Sequence, residues 1–246
     1  MNLAHFRFYE ELNEFLSEEK RKVSFPYEFN GKPSVKDAIE ALGVPHVEVD
    51  LVLVNGESVD FSYNLQNGDN ISVYPVFEGL DITPLIRLRG KPLRKVKFIL
   101  DAHLGRLAKY LRACGFDTLF NNSYNDPEIV DISENERRII LTRDKGILKN
   151  NRVTHGYWIR SQKYNEQLKE VLTRFDLKDQ IRFFTRCIRC NTPLESVKKE
   201  EIEYRLKEKT RRYYSSFKRC PGCNRIYWNG SHYQKMKSFI DHIINF

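Results

Sequence analysis

At 246 residues, 41% of them apolar and with no apolar run as long as a membrane span, the chain has room for two or three domains and is not expected to cross a bilayer. The stretch Met1-Asn2-Leu3-Ala4-His5-Phe6-Arg7 lacks the apolar core of a secretory signal, so a cytoplasmic setting is expected. The net charge of +8 divides sharply: residues 1–82 carry 6 Lys/Arg against 15 Asp/Glu (net −9), and residues 83–246 carry 35 against 18 (net +17), which suits the second part to nucleic acid and the first to something else.

The acidic part reads as a small β-rich domain over residues 1–82. Phe6 and Phe8 alternate with polar positions, as does Val23-Ser24-Phe25. A helix follows, with Ser34 as N-cap, Val35, Ala38, Ile39 and Leu42 on one face, and Gly43 closing it. Val47–Val54, the turn Asn55-Gly56 and Val59-Asp60-Phe61 then predict a hairpin, and Ile71–Val76 a last strand after the loop Asn67-Gly68-Asp69-Asn70. Two strands, a helix and further strands in this order resemble a β-grasp (ubiquitin-like) domain. The loop before Val73-Tyr74-Pro75 resembles the sulfur-carrier branch of that fold. Such carriers need a free Gly-Gly carboxyl terminus, whereas this chain runs on through Phe77-Glu78-Gly79-Leu80-Asp81, which excludes that chemistry.

Residues 83–95, with Pro84, Gly90 and Pro92, read as a basic linker. Beyond it strands at Val96–Leu100, Phe116–Phe120, Ile139–Thr142 and Val153–Ile159 alternate with helices at His103–Cys114, Asp126–Asn135 and Asn165–Phe175. This alternation predicts βαβ units and a parallel sheet over residues 96–180. On the first helix Leu104, Leu107, Ala108 and Leu111 form the core stripe, with Arg106 and Lys109 opposite and Arg112 at the flank.

Asp101, Asp126 and Asp144 each stand at a strand end or helix start. Singly, each fits an N-cap, and Asp126-Pro127-Glu128 has the form of a helix start. In open α/β sheets the carboxyl ends of neighbouring strands converge on one crevice. Three carboxylates there would repel one another unless a hard cation neutralised them, and Mg²⁺ or Mn²⁺ suits an all-oxygen site. Arg106, Lys109, Arg143 and Lys145 are placed to meet a phosphate backbone. Neither a P-loop nor a Rossmann glycine fingerprint is present, and Asp101-Ala102-His103 lacks the Asp-x-Asp of haloacid-dehalogenase-type phosphatases.

The stretch Val96-Lys-Phe-Ile-Leu-Asp-Ala-His-Leu-Gly-Arg-Leu-Ala-Lys-Tyr-Leu-Arg, with Cys114-Gly-Phe-Asp-Thr-Leu, Asp126-Pro-Glu and Ile140-Leu-Thr-Arg-Asp-Lys-Gly-Ile-Leu, resembles the Mut-seven C-terminal RNase family. That family is a PIN-like nuclease group carrying a zinc ribbon and often a ubiquitin-like N-terminal domain. The resemblance covers nearly the whole chain. It implies Asp101, Asp126 and Asp144 as the acidic residues of a Mg²⁺- or Mn²⁺-dependent ribonuclease acting on RNA; Glu128 and Asp131 are candidates for a fourth, though both read first as a solvated helix face. Because PIN-like groups include inactive members, a non-catalytic RNA-binding adaptor is the alternative from another class.

From about Ile181 the composition changes. Cys187-Ile-Arg-Cys190 and Cys220-Pro-Gly-Cys223 supply four thiolates at the spacing of a tetrahedral zinc site, so residues 181–246 are expected to form a zinc ribbon, with Lys198–Phe217 as an excursion between the two knuckles. Cys114 falls on the apolar side of its helix and is expected to be a core thiol. Tyr213 and Tyr214, interleaved with Arg211 and Arg212, suit stacking on unpaired bases, whereas Trp228 is expected in the small core of the ribbon. The acidic domain is expected to dock on the basic body or to recruit a protein partner.

Overall fold

Ala4, Phe6 and Phe8 alternate with polar residues along β1 (Asn2–Phe8) and all three are buried, as a strand with one covered face requires. This computed structural model describes residues 1–75, Leu88 and residues 96–244. The expected basic linker over 83–95, Leu88 excepted, and the end of the last expected strand at Val76 lie outside the described residues. The chain divides into two compact units: Met1–Arg94 with Ser133–Asn135 and Asp144–Trp158, and Lys95–Ile132 with Glu136–Arg143 and Ile159–Phe246.

In the first unit β1 pairs antiparallel with β2 (Phe25–Phe29). Helix α1 (Val35–Ala41) follows, and its first turn is capped as expected: the Asp37 N–H donates to Ser34 Oγ over 3.1 Å. β3 (Val49–Val54) and β4 (Glu57–Val59) form the hairpin, with Asn55 and Gly56 at φ of 52° and 92° as a type I′ turn requires. β5 (Asn70–Pro75) lies parallel to β1 and antiparallel to β3, giving the sheet order β2-β1-β5-β3-β4. One mixed sheet with a parallel pair at its centre is the β-grasp architecture. Val35, Ala38 and Ile39 of α1 join Phe6, Val52 and Ile71 in its core. A 3-10 segment at Glu10–Phe15, which has no periodic signature, adds Leu12 and Phe15 to the same core.

The second unit opens with β6 (Lys97–Leu100), a 3-10 turn at Ala102–Leu104 and α2 (Gly105–Ala113). Leu107, Ala108 and Leu111 are buried as the stripe predicts, and Arg106 and Lys109 are exposed. Cys114 is buried, and burial pushes its thiol up to about 12, as befits a core thiol. Gly115, at φ +96°, ends the helix where the backbone of Arg182 comes too close for any side chain. β7 (Asp117–Phe120) and, after α3 (Asp126–Glu136), β8 (Ile139–Thr142) both run parallel to β6, which is central. All four residues of β8 are buried, the pattern of a strand covered on both faces. A further strand, β9 (Gly156–Trp158), is shorter than the expected Val153–Ile159, and α4 (Tyr164–Arg174) completes the α/β part.

The cysteine segment contains a three-stranded antiparallel sheet, β10 (Glu195–Val197), then α5 (Lys199–Ile202) and α6 (Glu208–Tyr213) as the excursion, then β11 (Phe217–Arg219) and β12 (Ile226–Tyr227). A last helix, α7 (Ser231–Ile244), packs Phe239 against Tyr110 of α2 and Tyr164 of α4, with ring centroids 4.9 and 5.6 Å apart. Among the described residues no helix is long and apolar enough to cross a membrane.

Candidate functional site

Cys187, Cys190, Cys220 and Cys223 bring their sulfur atoms within 4.8 Å of one another, and this is the one such group of ligating side chains among the described residues. The closest pairs, Cys187–Cys223 and Cys190–Cys220, stand 3.4 and 3.3 Å apart. Four thiolates bound tetrahedrally at about 2.3 Å would have sulfur–sulfur separations of about 3.8 Å, so the donor set fits a structural metal such as zinc. Burial and the neighbouring thiols push Cys223 up to about 12 and raise Cys220, whereas hydrogen bonds from Thr192 and the neighbouring thiols outweigh burial and bring Cys190 down to about 6; a cation at the centre would favour the thiolate form of all four.

The two knuckles are built alike. Cys190 N–H points at Cys187 Sγ over 3.5 Å and Cys223 N–H at Cys220 Sγ over 3.4 Å. Asn191 and Asn224, each directly after its pair, adopt left-handed backbone at φ 69° and 57°, a conformation asparagine tolerates. The repeated Cys-x-x-Cys-Asn is a sequence signal that the cysteine spacing alone does not use. Each knuckle is also held from outside by an arginine. Arg112, buried on α2, donates to Thr118 O (2.8 Å) and to Arg189 O (2.7 Å). Arg205 donates to Asn224 Oδ1 (3.0 Å) and Asn224 O (2.7 Å). Asn191 accepts from Thr118 N–H (2.9 Å) and donates to Asp117 Oδ1 (2.8 Å), which fastens the first knuckle to β7. Asp117 in turn meets Arg138 at 2.7 Å and Arg186 at 3.1 Å. Burial alone would raise its carboxyl, but these partners outweigh burial and hold it below the ordinary carboxylate range. Tyr227 Oη lies 3.0 Å from Cys187 Sγ and supplies a donor to a ligand sulfur.

Asp101 ends β6 and is buried. Its Oδ1 accepts from His103 N–H (2.8 Å), the capping geometry that the sequence allowed, and its Oδ2 accepts from Thr142 Oγ1 and from Arg143 N–H (2.9 Å). Three donors therefore fix this carboxylate across the β6–β8 pair. Asp126 is not the N-cap of α3. Asn125 is: Glu128 N–H donates to Asn125 Oδ1 (3.0 Å) and Asn125 N–H to Glu128 Oε2 (2.9 Å), a reciprocal capping box. Asp126 is the first helical residue, exposed, and its carboxylate is not needed for capping. Glu128 is occupied by that box, and Asp131 is exposed on the same helix.

Asp144 is exposed after β8 and accepts Gly146 N–H at 2.7 Å, closing a turn that leads into the 3-10 segment Ile147–Lys149. The segment Asp144–Trp158, part of the first unit, meets residues of the acidic domain at several points. Lys145 Nζ sits 4.1 Å from the Trp158 ring and 4.7 Å from that of Phe15, and the two rings are 4.9 Å apart. Trp158 N–H donates to Glu48 Oε1 (2.7 Å), Lys149 Nζ to Glu40 O (2.8 Å), and His46 Nε2 lies 3.1 Å from Val153 O. Lys145 is thus engaged with aromatic rings. Arg143 is likewise engaged, donating through one guanidinium nitrogen to Arg160 O (3.1 Å) and Ser161 O (2.5 Å). Arg106 lies over the Tyr164 ring at 5.4 Å, and Lys109 lines a cleft beside the knuckles. Tyr213 is 71% exposed, and Tyr214 turns toward Trp228, with ring centroids 6.5 Å apart. Trp228 departs from its expected place: at 36% exposure it lies at the surface, whereas Phe217, Cys187 and Cys220 are buried.

No curated protein matches the chain. SAMP1 from Haloferax volcanii, a solved structure, is similar over 32% of this chain and 100% of its own, at 20% identity and a TM-score of 0.26. The Mut7-C ubiquitin model matches residues 1–81, and the Mut7-C RNAse domain model matches residues 96–240. The second match spans more than half of the chain and includes all three aspartates and all four knuckle cysteines, so the chain belongs to the Mut7-C RNAse domain family.

Proposed function

We propose that the protein is a Mg²⁺- or Mn²⁺-dependent ribonuclease that hydrolyses RNA phosphodiester bonds, with Asp101, Asp126 and Asp144 as its acidic residues. The observation that carries the reading is the Mut7-C RNAse match across the segment that holds them, which supports a nuclease-type function. Asp101 is preset by its three donors, and Asp126 is relieved of capping by Asn125. When bound, the metal supplies charge neutralisation and an activated water. Arg106 and Lys109, both exposed on α2, would position the phosphate backbone. Arg143 and Lys145 serve the same end indirectly, the first by fixing the chain after β8 and the second by holding the turn that carries Asp144.

The functional division follows residues 1–82, 83–95, 96–180 and 181–246. Zinc is the metal we assign to Cys187, Cys190, Cys220 and Cys223, and the ribbon, with Tyr213 and Tyr214, aids RNA binding. Free thiolates on this scale suit the reducing cytoplasm. The acidic domain docks intramolecularly through the residues that grip Asp144–Trp158, and its remaining surface is open to a protein partner. The test is cleavage of several RNA classes with and without Mg²⁺ or Mn²⁺ by wild type and Asp144→Asn. Metal-dependent cleavage lost in the variant, with RNA binding retained, is the expected result. Wild type that binds RNA yet never cleaves it under either metal would establish the adaptor instead.

A further inference from the structure

Beside the knuckles, within the second unit, lies a cleft of about 460 Å³ whose walls come from the excursion, the ribbon and the start of α7. Its aromatic wall is Tyr214, Trp228 and Tyr233, and its cations are Lys109 and Arg225, both exposed. No acidic residue is among those lining it. Ser231 and His232 reach it from the first turn of α7, a helix of 14 residues whose N-terminal N–H groups favour an anion. The indole lies close against its own backbone. Gly230 is buried, and a Cβ there would stand 2.5 Å from Trp228 Nε1, so the ring lies where any side chain at 230 would displace it. At 36% exposure the indole keeps open surface where it helps to line the cleft.

We propose that this cleft binds one unpaired nucleotide of an RNA strand. The base stacks on Trp228 with Tyr214 beside it, and the adjoining phosphates meet Lys109 and Arg225. The chemistry selects this occupant. Aromatic faces beside cations, without carboxylates, match a planar, uncharged base joined to phosphates, and the volume is in the range of small-ligand sites. A duplex keeps its bases stacked on one another and cannot offer one to the cleft, so the site makes the protein prefer single-stranded or looped RNA. The proposal rests on the ribonuclease reading for the identity of the nucleic acid and shares Lys109 with it.

The experiment uses the full, zinc-loaded chain and fluorescence anisotropy with three labelled probes: an eight-nucleotide oligouridylate, the same strand with one abasic position, and a duplex of equal length. No Mg²⁺ or Mn²⁺ is added, so the strands survive. Trp228→Ala should weaken binding of the oligouridylate by about 5- to 150-fold, the loss expected for one base–aromatic stack, and leave duplex binding unchanged. Trp228→Phe should keep most of the affinity. Lys109→Ala and Arg225→Ala should each reduce the salt slope by about 0.7. Should Trp228→Ala lose its zinc, Tyr214→Ala and Arg225→Ala carry the test. Zinc-loaded variants that bind the single strand as wild type does would overturn the proposal, even if the wild type cleaves RNA. A site that behaves as described in a protein that never cleaves would leave the proposal standing and remove the nuclease reading.

Discussion

Arg112→Met tests whether the four-cysteine module is an integral part of the α/β scaffold. Methionine keeps an unbranched apolar stem in the slot, but it removes the guanidinium that donates to Thr118 O at 2.8 Å and Arg189 O at 2.7 Å. A hydrogen bond from a charged donor contributes about 1.5–3 kcal/mol, so the gross loss for two is about 3–6 kcal/mol. Part is returned, because the variant no longer buries a cation and each carbonyl has a second lone pair with which to find water. A net cost of about 2–4 kcal/mol is expected. Since Arg112 bridges α2 to the first knuckle, that cost should fall on the knuckle's opening. At about 1.4 kcal/mol per decade, zinc release to a chromogenic chelator should accelerate roughly 30- to 700-fold. Arg112→Lys, which keeps the charge but not the planar fork, should fall between. The assay is the first-order release rate beside the urea midpoint. Release within twofold of wild type at an unchanged midpoint would refute the coupling and make the module an independent appendage.

Asp117→Asn should alter acid stability in a defined direction. The folded carboxyl is held below its ordinary value, so it contributes stability that is present above about pH 4, the unfolded value, and lost as pH falls below it. The variant should be less stable at neutral pH and show a flatter acid limb in a series of urea titrations, whereas parallel curves would remove Asp117 from that role. Glu48→Ala removes the acceptor of Trp158 N–H and should speed hydrogen exchange at that amide by about 5- to 150-fold, for a loss of about 1–3 kcal/mol. The same variant should slow RNA cleavage, because the turn bearing Asp144 and Lys145 is loosened. Faster cleavage would instead show that the acidic domain restrains the enzyme.

Local signals were legible where a short stretch carries its own physics. Ser34 with Val35, Ala38 and Ile39 reads as a capped amphipathic helix, and Asn55-Gly56 as a hairpin turn. The cysteine pairs meet as their spacing requires. Asp126 was misread because two cap-forming residues stand side by side. Asn125 wins because Glu128 is three residues after it and can return the bond to its N–H. The burial of Arg112 had no local signal at all. On its helix it looks like a solvated flank, and carbonyls on β7 and, 76 and 77 residues later, in the first knuckle make its interior position tolerable. The helix Ser231–Ile244 was missed for a similar reason. Its buried residues are few, and Phe239 finds its partners on α2 and α4, far back in the sequence.

These long-range contacts change what the charge division means. An acidic domain of net −9 beside a body of net +17 suggests diffuse attraction, which salt would screen. The contacts on Asp144–Trp158 are of another kind. Glu48 is fully buried where it receives the Trp158 N–H, and half-buried Lys145 lies against two aromatic rings, so these contacts depend on close packing rather than on net charge. Short-range chemistry therefore ties Asp144–Trp158 to Phe15, Glu40, His46 and Glu48 within the first unit, and these contacts should persist as salt rises.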